Sequence, residues 1–148
     1  YRGVRLPAGS GFLVPPREHT VLKAATYLTN KWPHVAAGTD LSVVRCSVGR
    51  FGEEGDLQRE DVELVGVVAA DLAMITGLAA RPVGTRVMRW GGSLPQYLPG
   101  HLHRVAALRR ALPPGLAVCG AAYDGVGIPA CIRSGEAAAA AVAAELVI

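Results

Sequence analysis

Residues 116–146 constrain the fold more than any other stretch of the chain. An apolar run, 116–121 (LAVCGA), passes into Tyr123-Asp124-Gly125-Val126-Gly127-Ile128-Pro129 and then into a long alanine-rich segment. The run is apolar on both faces, as a strand buried in a parallel sheet would be. The glycines and Asp124 mark a tight turn. Pro129 suits a first helical position, where its missing N–H is not needed, so residues 129–146 read as a helix. A strand, a turn and a helix in immediate succession predict an α/β unit at this end of the chain.

The first 50 residues predict an antiparallel portion. Strands are expected at 12–14, stopped by Pro15-Pro16, at 20–29, broken by Asn30-Lys31-Trp32-Pro33, and at 41–48. In the last of these, Val44, Cys46 and Val48 share the face that should be buried. Residues 61–75 predict a helix with Leu64, Val68, Leu72 and Ile75 as its apolar stripe, acidic residues at its start and Gly77 at its end. A further strand is expected at 82–90. A helix at 101–112 should turn Leu102, Val105, Leu108 and Leu112 inward and end at Pro113-Pro114. The predicted class is α/β with an antiparallel portion.

Composition narrows the function classes. With 148 residues, 51 % hydrophobic and 18 % charged, the chain has the make-up of one folded domain rather than a disordered segment. The formal charge is 15 − 12 = +3, carried by arginines scattered along the chain. No basic stripe with interleaved aromatics points to nucleic acid, although the moderately basic surface allows peripheral membrane contact. Cys46, Cys119 and Cys131 form no CxxC and no even-numbered framework, so a reduced, cytoplasmic setting is expected. No apolar run approaches the ~18 residues of a membrane span.

Few residues invite catalysis. His101 and His103 stand at i, i+2 near a helix start, which does not place both rings on one face for a metal. GxSxG and GxGxxG do not occur. No residue is singled out as a catalytic base. The mouth of the last helix remains. Its free N–H groups and partial positive charge would receive an electron-rich oxygen, and Gly125 and Gly127 allow close backbone approach. Pattern alone favours an ordinary tight connection, with glycines for turn geometry. Trp90, beside Gly91-Gly92, could serve as a core aromatic or wall a pocket for a planar ligand.

Residues 120–135 (GAAYDGVGIPACIRSG) resemble the C-terminal flavin-contact segment of the protoporphyrinogen and coproporphyrinogen oxidases, and most of all the Gram-positive type. Residues 29–34 (TNKWPH), 41–51 (LSVVRCSVGRF), Arg89-Trp90, Leu94-Pro95-Gln96-Tyr97 and Gly100-His101 agree in order and spacing. The resemblance implies the C-terminal third of an FAD-dependent oxidase. Residues 1–88 would complete a substrate domain and 89–148 would return to the FAD domain. The missing N-terminal portion of the same chain would carry the GxGxxG unit that holds the ADP half of FAD. It further implies that Val126, Gly127 and Ile128 lie against the flavin and that Trp90 borders it. A porphyrinogen would be dehydrogenated to the porphyrin in heme biosynthesis, with hydride passing to the flavin and O₂ reoxidising it to give H₂O₂. This chain alone would be inactive. Relatives often carry an acidic residue where this chain has Ala130. A phytoene-desaturase-like flavoenzyme and a stand-alone binding domain are the alternative readings.

Overall fold

The computed structural model describes residues 1–146. The chain divides into two compact units, Tyr1–Arg89 and Trp90 onward. The first holds a three-stranded antiparallel sheet in the order β1 (Gly11–Leu13), β2 (Leu22–Tyr27), β3 (Val44–Val48). A short helix α1 (Leu28–Lys31) follows β2, and the long α2 (Asp61–Thr76) follows β3. The second unit contains α3 (His101–Ala111), the single turn α4 (Ala121–Asp124) and α5 (Ile128–Leu146). Among the described residues, no helix is long and apolar enough to cross a membrane.

β2 is the central strand and the most deeply buried element. Leu22, Ala25 and Tyr27 join Leu6 and Leu72 in one core cluster, with Val44, Cys46 and Val68 packed against it. Tyr27 meets Phe12 edge to face, ring centroids 6.1 Å apart, an arrangement that aromatic quadrupoles favour. Where β1 meets β2, a Cβ at Gly11 would stand 2.1 Å from the Ala25 carbonyl oxygen. Only glycine permits that approach.

Between Leu22 and Ala24 the β2–β3 register shifts, leaving a bulge at Lys23. Its loose ends are tied by side chains. The Leu22 N–H donates to the Asp71 carboxylate of α2 at 2.9 Å, and Lys23 Nζ donates to the Gly49 carbonyl at 2.6 Å. Asp71 therefore docks α2 on the sheet by satisfying a backbone group that the bulge leaves unpaired. Helix α2 ends as expected at Gly77, whose φ of +72° is a left-handed cap.

Four expectations are corrected. Residues 82–90 and 116–121 form no strand. A strand exists only as half of a ladder, and among the described residues neither segment has a paired neighbour. In α3, Val105 is buried as expected, but Leu102 is 78 % exposed and Leu108 is also exposed. The 20–29 run supplies only Leu22–Tyr27 as strand, because the chain turns into α1 at Leu28.

Two outcomes follow from this packing. Asp71→Ala should destabilise the folded protein by about 1–3 kcal/mol, since it strands a buried N–H. Asp71→Asn, which keeps an acceptor, should cost much less, and urea unfolding of both variants checks the difference. Burial pushes the Cys46 thiol up to about 11. Iodoacetamide at pH 8 should therefore leave Cys46 unmodified until the protein is unfolded, as peptide mass mapping would show.

Candidate functional site

The turn between α4 and α5 is built by backbone geometry. Gly120 has φ 106° and ψ −171°, and its carbonyl accepts the N–H groups of Tyr123 and Asp124 at 3.0 and 3.2 Å. That closes α4 into one turn. Gly125 and Gly127 follow at φ +127° and +115°, where L side chains are strained. A Cβ at Gly125 would press on the Ala130 Cβ at 3.3 Å, whereas one at Gly127 would meet nothing within 4 Å. The backbone angle demands glycine at 127, and the space above it is open.

Gly127 begins α5 by accepting the Cys131 N–H through its carbonyl at 3.0 Å. The N–H groups of Ile128 and Ala130 precede the helix's own hydrogen-bond ladder, and Pro129 has none. They form a small positive mouth on a helix of 19 residues. Val126 and Ile128 stand exposed on either side of Gly127, Ile128 at 78 %. A planar, electron-rich group fits this arrangement: donors at the mouth, apolar flanks, and no Cβ in the way. The fold thus presents Val126, Gly127 and Ile128 as one continuous surface.

Trp90 lies in the irregular segment ahead of α3 and is 73 % exposed. Its carbonyl accepts the N–H and hydroxyl of Ser93 at 3.4 and 3.1 Å, so the contacts that fix it are local. His101 stacks on Tyr97, with centroids 4.2 Å apart and planes within 10°. The Tyr97 hydroxyl donates to the Ala121 carbonyl at the start of α4.

The sequence marked Asp124 at the turn but not the partners that brace it. Asp124 was expected to shape it, and does so through partners distant in sequence. Arg109 Nη2 donates to Asp124 Oδ2 at 2.6 Å, and the Ser134 hydroxyl donates to the same oxygen. The Ser134 hydroxyl also accepts the Gly120 N–H at 2.8 Å. The Arg109 hydrogen bond first, then that of Ser134, holds the Asp124 carboxyl below its usual range. Ser134 is the one hydroxyl side chain of α5, and it is buried.

Comparison with known proteins gives the chain a family. The family model described as flavin containing amine oxidoreductase matches residues 7–143, and the chain belongs to that family. Within the family, the chain is 42 % identical over 140 residues to the coproporphyrinogen III oxidase of Mycobacterium tuberculosis H37Rv, covering 95 % of this chain and 30 % of that protein. It is 38 % identical over 133 residues to the coproporphyrinogen III oxidase of Bacillus subtilis strain 168, covering 88 % and 28 %. A crystal structure from Exiguobacterium sp. 255-15, described as a protoporphyrinogen oxidase, superposes with a TM-score of 0.80 at 35 % identity, over 93 % of this chain and 30 % of that one. The chain therefore spans about three-tenths of the length of these relatives.

Gly127→Val in the full-length protein should cost about 1–3 kcal/mol in backbone strain and turn the Ile128 and Ala130 N–H groups off line. The folded variant should lose bound flavin, and added cofactor should restore little. The ratio of flavin to protein absorbance in the folded fraction measures this. A full complement of flavin would show that the turn is not the contact.

Proposed function

We propose that this chain is the C-terminal part of an FAD-dependent oxidase that dehydrogenates a porphyrinogen, coproporphyrinogen III or protoporphyrinogen IX, to the porphyrin in heme biosynthesis, with O₂ as acceptor. What carries the reading is the sustained likeness, over 88 to 95 % of the chain, to relatives named coproporphyrinogen III oxidase. Residues 1–88 complete the substrate domain and residues 89–148 the FAD domain. The N-terminal portion of the same polypeptide holds the ADP half of FAD. A cytoplasmic setting, with peripheral membrane contact allowed, belongs to the same proposal.

FAD, when bound, supplies the two-electron acceptor. The chain's own residues do the positioning. Gly127 lets the backbone approach the ring. The N–H groups of Ile128 and Ala130 and the N-terminal dipole of α5 favour the negative charge that gathers at the pyrimidine end on reduction. Val126 and Ile128 keep water from the same edge, and Trp90 borders the cofactor. The segment's contribution is register between two planar partners.

The test uses the full-length protein with FAD and anaerobically prepared coproporphyrinogen III, admitted to air. Porphyrin fluorescence should rise above a protein-free control with matching H₂O₂, and the 148-residue chain alone should give none. Protoporphyrinogen IX tested in parallel separates the two substrates. Turnover of an amine or a carotenoid, with neither porphyrinogen oxidised, would overturn the assignment.

A further inference from the structure

We propose that Asp124 is a positioning residue for the flavin: its carboxylate, gripped by Arg109 and Ser134, fixes the turn at 125–128 so that the mouth of α5 meets the ring. This rests on the flavin contact proposed above. It concerns residues outside that contact.

Three elements converge on one oxygen atom. Arg109 comes from the last turn of α3, Asp124 ends α4, and Ser134 lies in the second turn of α5. Arg109 and Ser134 both donate to Asp124 Oδ2, and Ser134 also receives the Gly120 N–H. Gly120 and Asp124 bracket α4, so both ends of that turn are anchored to one hydroxyl of α5. Gly125 and Gly127 are conformationally loose and carry no side chain to fix them. The brace at Asp124 supplies what the glycines lack. Backbone N–H groups lose their hold on an acceptor steeply with angle, so a small rotation of the turn matters.

The same geometry separates positioning from stability. The Arg109 and Asp124 side chains are 43 % and 29 % exposed, and exposed ion pairs add little to folding. Arg109 also neutralises a charge that would otherwise sit four residues ahead of Ile128, against the field of the helix mouth.

The experiment compares Asp124→Asn and Ser134→Ala in the full-length protein. It measures FAD affinity of the apoprotein, the midpoint potential and absorption spectrum of bound flavin, and the apoprotein's thermal midpoint. Each variant should bind FAD roughly tenfold more weakly, about one charge-assisted hydrogen bond. For Ser134→Ala, which leaves the Asp124 charge in place, the potential should move to more negative values, because the N–H groups no longer favour the reduced ring; for Asp124→Asn, at a partly exposed pair, the thermal midpoint should stay near wild type. Arg109→Lys, which keeps the charge, should fall between wild type and Arg109→Met. A lowered thermal midpoint with unchanged affinity and potential would make the network structural only and overturn the proposal. If Asp124→Asn does not fold, Ser134→Ala decides, because alanine is at home in a helix. A wild-type protein that binds no flavin would instead defeat the proposed function.

Discussion

Backbone pairing governs this structure. Every buried N–H and C=O must find a partner, and the first unit is organised around meeting that demand for β2. β2 takes β1 on one side and β3 on the other, and where the bulge breaks the ladder, Asp71 reaches from α2 to take the Leu22 N–H. The apolar core assembles on the strand so secured: Leu22 and Leu72 are fully buried directly beside that hydrogen bond. Burial and hydrogen bonding are thus one device, since the residue that donates to Asp71 is also a central apolar side chain.

The same demand explains the segments that stay irregular. Residues 82–90 and 116–121 have the composition of strands, yet a strand's hydrogen bonds belong to the pair. Side chains take over part of the task. Arg89 donates to the Leu57 and Arg59 carbonyls at 3.2 and 2.7 Å and pairs with Asp61 at the start of α2. Arg109 reaches the Val118 carbonyl at 3.4 Å. Arginine, with five donors in a rigid fork, can serve several carbonyls at once.

At the site, conformational freedom and restraint are divided between residues. Gly125 and Gly127 provide angles that other residues would adopt only under strain, and Asp124, Ser134 and Arg109 remove the looseness that glycine brings. The proposed flavin contact would need both: close approach without a Cβ, and an N–H direction that does not drift.

Local pattern in the sequence determined a good part of this. The α2 boundaries followed from acidic residues at its start, a helical stripe and Gly77. The start of α5 followed from Pro129, and the tight turn ahead of it followed from Asp124 and the glycines. These features depend on neighbours within a few residues, which the sequence states directly. Tertiary structure alone decided the rest. It set which extended runs became strands, that Leu102 faces outward while Val105 faces in, that Asp71 closes the bulge, and that Arg109 and Ser134 grip Asp124 from 15 and 10 residues away. Those outcomes turn on which distant groups arrive at hydrogen-bond distance, and the order of residues along a chain does not encode that distance locally.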